Sequence, residues 1–427
     1  MVELEKVSNV RGAVLEDRPS ATRIAPAARR AVTDVLSQPP FAGRCHLREA
    51  LLDVARTPSV LACVPARDEA ERLPASLDSV AASLAPFGDR AAVLVAVNNS
   101  IDATFGLVRS RAAVWRERTG LATLACDVRF EESVADAGHA RRLALDMGAA
   151  LATFTGATDA VLLSTDADTQ VEPLWAPRMV GHVHRGASLA LGRIDTDPAE
   201  FDAMPSRVRL AEEAERRLLH AQDRLWKRLV PHTRQALGLR AGGASLAVSA
   251  AAYRRVGGVP ALPFGEDRAL VASMLRHDEP VAVDRTATIR TSCRLEARAS
   301  YGLGGMLKAR LEEPDPLCDE VLWPARDFAL RTLAWRHLRE SRRTWRIADV
   351  IGGVESLVGP LGVGATALFP SARTQGRDWE RLSALLAEPR RLRVSEIERE
   401  VERAGRILER VTPGASIEQQ VAEVLAC

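Results

Sequence analysis

Short apolar runs alternate with amphipathic segments through the first half of the chain. The runs, of which SVLACVPA at residues 59–66 is the first, have the length and composition of buried strands. Between them, apolar residues recur at helical spacing, as at Leu73, Leu77, Val80 and Leu84. Strand and helix alternate four times, which predicts an α/β fold with a mostly parallel central sheet and helices on both faces.

Polar residues stand immediately after three of the predicted strands. Asp68, Asn98 and Asp166 follow the ends of three apolar runs. The carboxyl ends of parallel strands lie at one edge of a sheet, and ligands of such α/β proteins bind beyond that edge. The pattern alone therefore predicts a polar binding site on one rim of the sheet.

The pattern also divides the chain into three parts. Residues 1–56 are predicted to be a partly helical N-terminal extension, in which CHLREALLDVA at 45–55 has the character of a short helix. Residues 57–315 hold the alternating elements, and residues 316–427, rich in Arg and Glu, predict a helical C-terminal region. The apolar stretch at 351–369 contains a glutamate, a proline and several glycines, so we expect peripheral membrane contact at most.

Composition limits the possible functions of the protein and its possible cellular compartment. A formal charge of +2 on 427 residues offers no basic surface for nucleic acid, so no nucleic-acid partner is expected. The six cysteines form no C-x-x-C pair, which argues against a zinc site. The N-terminus carries no apolar signal segment and the cysteines suit a reducing compartment, so we expect a cytoplasmic protein.

Two aspartates separated by one residue follow the fourth predicted strand. In an extended backbone Asp166 and Asp168 face the same way, and two carboxylates so close resist ionising together. A divalent cation removes this repulsion, and Mg²⁺ or Mn²⁺ prefers oxygen ligands, so the pair is a candidate metal site. Two other interpretations stay open: exposed turn acids, and a phosphatase-type nucleophile, whose D-x-D-x-[TV] pattern is broken here at Gln170.

Five segments, taken together, resemble a known family. VPARDEAERLPASLDSV, VNNSIDAT, STDADT, GGASLAVSAAAYRRVGG and GEDRAL occur in the order seen in family 2 glycosyltransferases of the GT-A fold. The resemblance covers about residues 59–305. It implies a GT-A-like core and an inverting enzyme that moves a sugar from a nucleotide-diphosphate sugar to an acceptor hydroxyl, with the help of Mg²⁺ or Mn²⁺.

The resemblance assigns roles to particular residues. Those expected to contact the nucleotide sugar are Pro65, Ala66, Arg67, Glu69, Asn98, Ser100, Asp102, Arg141, Arg142, Asp166, Gly243 and Arg294. Asn98 stands where the family has an aspartate that binds uracil, so a UDP-sugar is favoured and a GDP-sugar is the alternative. Asp102 has a second interpretation as a helix cap, and the helix arginines as solvated side chains. Arg298 is a further candidate for contact with the diphosphate or an anionic acceptor.

The two acidic pairs carry the chemistry that the resemblance implies. The metal ion is expected on Asp168, with Asp166 beside it. Asp267, with Glu266 as its neighbour or substitute, is expected to take the proton of the acceptor hydroxyl as a general base. Acids at a helix N-terminus, favoured by the helix dipole, are the alternative interpretation of this second pair.

Two other functions remain open at this point. A non-catalytic nucleotide-sugar-binding or scaffold protein would keep the fold without needing both acidic pairs. A sugar-1-phosphate nucleotidyltransferase is expected to carry a glycine-rich loop after its first strand, and VPARDEAERL contains no glycine. The Q-x-x-R-W motif of processive family members is also missing from the chain. The pattern defines neither the acceptor, beyond its hydroxyl, nor the oligomeric state.

Overall fold

The computed structural model describes most of the chain. The described residues are 21–54, 56–230, 242–295, 302–341, 374–386 and 388–427, without the side chains of residues 21–24 and 341. Two features of interest in the sequence, Arg298 and the apolar stretch at 351–369, lie outside these ranges.

Within the described residues, nine strands form one mixed sheet. They are β1 (Cys45–Asp53), β2 (Val60–Ala66), β3 (Ala91–Asn98), β4 (Ala122–Phe130), β5 (Val161–Ser164), β6 (Thr169–Val171), β7 (Leu189–Thr196), β8 (Leu246–Ser249) and β9 (Val281–Thr291). Their order across the sheet is β1-β4-β3-β2-β5-β8-β7-β9-β6. The neighbours β4, β3, β2 and β5 are mutually parallel, as predicted, whereas β1, β8 and β6 run antiparallel to their partners.

Helices connect and cover these strands. They are α1 (Ala21–Leu36), α2 (Leu73–Leu84), α3 (Thr104–Thr119), α4 (Ala137–Phe154), α5 (Trp175–His184), α6 (Pro198–Asp202), α7 (Ser206–Leu229), α8 (Ala250–Arg255), α9 (Glu266–Arg276), α10 (Leu303–Glu312), α11 (Ala325–Ser341), α12 (Gln375–Leu385), α13 (Ile397–Arg410) and α14 (Ile417–Leu425). The helices that sequence periodicity predicted between the parallel strands are α2, α3 and α4.

The central strands are buried on both faces, which is why their sequences are continuous apolar runs. In β2, Leu61 and Cys63 belong to the core on one face, and Ala62 and Val64 belong to the core on the other, because side chains alternate along a strand. Helices α1 and α4 cover the first face, and α2, α3 and α5 cover the second. The predicted α/β fold with helices on both faces is confirmed.

The prediction of a short helix at residues 45–55 is wrong. Cys45–Asp53 is strand β1, which pairs antiparallel with β4 at the edge of the sheet. Its side chains are half-buried or exposed, and its pairing satisfies backbone groups that β4 would otherwise leave open. A segment of 9 residues is short enough to match the apolar spacing of a helix or of a strand, and its pairing with β4 decides between the two. Part of the predicted N-terminal extension therefore belongs to the central sheet.

Beyond residue 316 the described residues are mainly helical, as the sequence predicts. Helix α7 packs against this region, with the rings of Trp226 and Trp335 centred 5.0 Å apart. Buried Arg310 of α10 binds Glu212 and Glu215 of α7, each at 2.8 Å, and so fixes α10 against α7. Among the helices that the structure describes, none has both the length and the apolar character needed to cross a membrane.

Candidate active site

A cleft of about 1220 Å³ opens at the carboxyl ends of the parallel strands. The residues predicted from sequence that line it are Pro65, Ala66, Arg67, Glu69, Asn98, Arg141, Asp166, Asp168, Gly243, Glu266, Asp267 and Arg294. Two acidic pairs that are far apart in the sequence thus share one concave site, at the rim of the sheet where ligands of α/β proteins bind.

Local structure directs both acidic pairs into this cleft. Asp166 and Asp168 occupy the turn between β5 and β6. Glu266 and Asp267 are the first two residues of α9. Gly265, just before them, has a φ of 71°, a left-handed conformation that favours glycine, and it turns the chain into the helix.

One buried arginine holds the two acidic pairs together. The side chain of Arg141, 8% exposed, donates from Nη2 to Asp166 Oδ1 at 2.7 Å and from Nε to Glu266 Oε1 at 2.8 Å. Its Nη1 donates to Ser164 Oγ at 2.9 Å and to the carbonyl oxygen of Gly243 at 2.8 Å. Burial alone would lower the pKa of Arg141, but the carboxylates of Asp166, Glu266 and Asp267 outweigh burial and raise that pKa above its usual value. Four of the five N–H groups are engaged within the protein, and the contact of Arg141 with a phosphate stays a prediction.

Gly243 makes this arrangement sterically possible. A Cβ at this position would lie 2.3 Å from Cζ of Arg141, so only glycine lets the backbone approach the guanidinium so closely. The amide of Gly243 also donates to Asp267 Oδ2 at 2.7 Å. The close backbone approach that the sequence suggested is therefore present, with Arg141 as the group approached.

The members of the second acidic pair have different surroundings. The side chain of Glu266 is 7% exposed and is paired with Arg141. Asp267 is partly exposed, and it accepts hydrogen bonds from the amides of Gly243 and Arg268, both at 2.7 Å. Within the part of the chain that the structure describes, Asp267 forms no ion pair. It is therefore an oriented carboxylate that faces the cleft and lies within the electrostatic influence of Arg141.

Asp168 is bound by a serine and a second arginine. Ser292 Oγ donates to Asp168 Oδ2 at 2.6 Å, and Arg294 Nη2 lies 3.0 Å from the same oxygen. Arg294 also forms a two-pronged contact with Glu69, with Nη1 donating to Oε2 at 2.9 Å. Burial, and next the charge of Asp166, raise the pKa of the Asp168 carboxyl, while Ser292 and Arg294 oppose this rise.

Each aspartate of the first pair keeps one oxygen for a metal ion. Among the described residues, Asp166 Oδ2 and Asp168 Oδ1 accept no hydrogen bond, because the arginines bind the opposite oxygens. Carboxylate oxygens are the ligands that Mg²⁺ and Mn²⁺ prefer. No cluster of three or more His, Cys, Asp or Glu side chains suited to a metal occurs in those ranges. The pair therefore fits an ion that takes its other ligands from water or a bound diphosphate.

Asn98 offers an amide to a ligand. It is the last residue of β3, lies on the cleft wall and is 2% exposed. In the described part of the chain its side chain has no hydrogen-bond partner. A buried amide normally requires partners, so this group is suited to hydrogen bonding with a bound molecule.

Two of the predicted nucleotide contacts lie in the neighbouring loop and do not line the cleft. Ser100 Oγ accepts a hydrogen bond from the amide of Asp68 at 2.9 Å. Asp102 accepts from the amides of Ala70 and Thr104, each at 3.0 Å, and so fixes the start of α3 to the turn after β2. These contacts match the alternative, structural interpretation of Asp102 and shape the turn that borders the site.

Arg142 is also directed away from the cleft. Its Nη1 donates to the carbonyl oxygen of Val259 at 2.7 Å, and its Nε donates to Asp146 at 3.2 Å. Asp146 in turn accepts from the hydroxyl of Tyr253 at 2.7 Å. Adjacent residues of a helix cannot share a face, so only one of the two neighbouring arginines reaches the acidic pairs.

Sequence reasoning missed two serines of the site. Ser164 ends β5 and binds Arg141, and Ser292 follows β9 and binds Asp168. Both stand at the carboxyl end of a strand, two residues before a residue that the sequence predicts for the site. That position was the available signal.

Comparison with known families identifies the class of enzyme. Residues 61–255 match the family model described as glycosyl transferase family 2. This chain is therefore a glycosyltransferase, and residues 61–255 form its family 2 domain. No curated protein is similar enough in sequence to match the chain.

Two solved structures are among those that match this chain. TarS 1–349 of S. aureus, crystallised with UDP, is 13% identical, covers 77% of this chain and 90% of its own, and has a TM-score of 0.37. Glucosyl-3-phosphoglycerate synthase from Mycobacterium tuberculosis was crystallised with Mn²⁺, UDP and phosphoglyceric acid. It is 16% identical to this chain, the match covers 60% of this chain and 77% of the synthase, and the TM-score is 0.34. At these scores the similarity carries no argument about individual residues.

Proposed function

We propose that this glycosyltransferase moves a sugar, with inversion, from a nucleotide-diphosphate sugar to an acceptor hydroxyl, with the help of Mg²⁺ or Mn²⁺. The observation that carries the proposal is the single cleft in which Arg141 links Asp166 to Glu266. Because one guanidinium touches both acidic pairs, the donor-binding aspartates and the candidate base are held at a fixed separation.

The nucleotide is proposed to bind at the ends of β2 and β3. Asn98 presents an amide that can both donate to and accept from a base such as uracil. The resemblance to family 2 enzymes favours a UDP-sugar, with a GDP-sugar as the alternative. Arg67, whose side chain is 42% exposed, stands beside Asn98 on the same wall. Its charge suits the phosphate-bearing part of the donor.

The free oxygens of Asp166 and Asp168 are the proposed protein ligands of the metal ion. When bound, such an ion neutralises the diphosphate and makes it a better leaving group. Arg141 holds the first carboxylate, and Ser292 and Arg294 hold the second, so both are oriented before the donor arrives. This orientation reduces the rearrangement that donor binding requires.

Asp267 is the proposed general base. It takes the proton of the acceptor hydroxyl while that oxygen bonds to the anomeric carbon and the bond to the diphosphate breaks. One displacement of this kind inverts the anomeric centre. Glu266 is less suited to the role because its charge is already paired with buried Arg141. The cleft extends to α7 and α10. Arg193 and Asp195 of β7, with His220 of α7, line it and provide polar contacts for an acceptor.

A cytoplasmic location is part of the same proposal. All six cysteines are free in the structure, and four of them are buried, a pattern that suits a reducing compartment.

The test compares donor turnover in matched variants. The purified protein, given UDP-sugars and GDP-sugars with and without Mn²⁺, is expected to release nucleoside diphosphate only with the metal ion. Asp168→Asn should abolish this release, whereas Asp89→Asn, at an exposed ion pair with Arg56 that does not line the cleft, should leave it unchanged. NMR of the product should show inverted anomeric configuration. Donor binding without any turnover would favour the scaffold alternative.

A further inference from the structure

Arg294 occupies the place of a cation beside the candidate metal site. Its guanidinium lies between Glu69 and Asp168, with Nη1 2.9 Å from Glu69 Oε2 and Nη2 3.0 Å from Asp168 Oδ2. The side chains of Glu69 and Asp168 are only 7% and 14% exposed. The single positive charge of Arg294 is therefore shared by two buried carboxylates and offsets part of their negative charge.

A divalent cation on Asp168 would have to compete with this charge. The guanidinium and an ion on the opposite oxygen of the same carboxylate would lie close together and repel each other. The charge of Asp166 is also partly offset, because Arg141 binds it at 2.7 Å and shares its positive charge with Glu266. The pair of aspartates is thus weaker as a cation site than two free carboxylates.

The two arginines differ in their freedom to move. Arg141 is 8% exposed and has protein partners for four of its N–H groups. Arg294 is 25% exposed, lines the cleft, and is held to Glu69 by a fork that does not involve Asp168. The contact with Asp168 uses only Nη2, so a turn of the guanidinium can release Asp168 while Nη1 still donates to Glu69 Oε2.

We propose that Arg294 is an exchangeable counter-ion of Asp168. Without a donor, the charge of Arg294 opposes binding of the divalent cation. When a nucleoside diphosphate enters, the guanidinium of Arg294 passes from Asp168 to the phosphates, and Asp168 can then hold the cation. Cation and diphosphate then bind strongly only together. This inference rests on the proposed function, because it concerns the same metal and donor site, and it adds the order in which the ligands can bind.

The test measures Mn²⁺ binding directly, by electron paramagnetic resonance, in the whole chain with and without UDP. Wild-type protein is expected to bind Mn²⁺ at least about tenfold more tightly when UDP is present. Arg294→Gln should bind Mn²⁺ alone about tenfold more tightly than wild type and should lose most of the dependence on UDP. Arg290→Gln is the control, because Arg290 lies on β9 four residues before Arg294, pairs with Glu172 and does not line the cleft.

A second variant keeps the test decisive if Arg294→Gln folds poorly. Arg294→Lys retains the charge but not the two-pronged contact, so it should still bind Mn²⁺ weakly in the absence of UDP. Tight Mn²⁺ binding by wild-type protein without UDP, or equal binding by wild type and Arg294→Gln, would overturn the inference and leave the proposed transfer reaction intact. Failure of Mn²⁺ to bind any of these proteins even with UDP would overturn the metal dependence together with the inference.

Discussion

Replacing Gly243 with alanine would place a methyl group against the guanidinium of Arg141. The added Cβ would lie 2.3 Å from Cζ, 2.4 Å from Nε and 2.7 Å from Nη2, whereas ordinary contacts begin at 3.4 Å. The guanidinium would have to retreat by about 1 Å. Its contacts with Asp166 and Glu266, now 2.7 and 2.8 Å long, would stretch beyond hydrogen-bond length.

The size of the effect follows from the burial of these groups. A hydrogen bond to a charged group contributes about 1.5–3 kcal/mol, and breaking a buried ion pair costs about 3–5 kcal/mol. Partial relaxation of the loop around Gly243 would recover some of this, so we expect the free energy of unfolding to fall by about 3 kcal/mol. A shift of about 1 Å between Asp166 and Glu266 should also slow sugar transfer about a hundredfold.

Urea denaturation and steady-state transfer rates measure the two effects. Gly106→Ala is the matched control, because it lies inside α3 with no atom within 4 Å of the added methyl group. Alanine is the better helix former, so this control should be neutral or stabilising by up to about 1 kcal/mol. If Gly243→Ala unfolds at the same urea concentration and reacts at the same rate as wild type, the bracing role of Arg141 is refuted.

Three further predictions concern the proposed base, an ion pair at the surface and a close backbone contact. Asp267→Asn should keep donor affinity in calorimetry but lower kcat about 10²–10⁴-fold, and an unchanged kcat would exclude it as the base. Hydrogen bonding to Arg255 lowers the pKa of Glu279. The ionised Glu279 carboxylate therefore stabilises the fold above pH 4.5, and this stabilisation is lost as the pH falls below 4.5. Glu279→Gln should therefore lose less stability on acidification than wild type, by under about 1 kcal/mol in urea titrations at several pH values. Gly138→Ala would place a Cβ 1.9 Å from the carbonyl oxygen of Leu262, so thermal unfolding should show a clear drop in Tm, and an unchanged Tm would contradict the close approach.

The parallel core was predictable because local pattern and tertiary structure agree there. Strands such as Val60–Ala66 and Ala91–Asn98 are buried on both faces, so their sequences are unbroken apolar runs that no other element of that length explains. Polar residues directly after these runs then had to lie on one rim. Edge strand Cys45–Asp53 was not predictable, because its half-exposed pattern does not distinguish a strand from a helix until its pairing with β4 is known.

The contacts between residues of the site could not be predicted from their spacing in the sequence. Arg141 and Arg142 stand side by side in the chain and received equal weight. Only the folded helix shows that one reaches Glu266, 125 positions away, while the other reaches Val259. Local periodicity carries no information about contacts at such separations, so the residue types of the site were predictable and their pairing was not.

The arrangement of the sheet edges sets a practical limit on shortening this enzyme. A fragment trimmed to residues 61–255 would lack β1, which lies along β4, and β9, which joins β7 to β6. Three rows of backbone N–H and C=O groups, on β4, β7 and β6, would then face solvent and could pair with strands of neighbouring molecules. Such a fragment is expected to precipitate on expression, and it would also have lost Asp267 and Arg294.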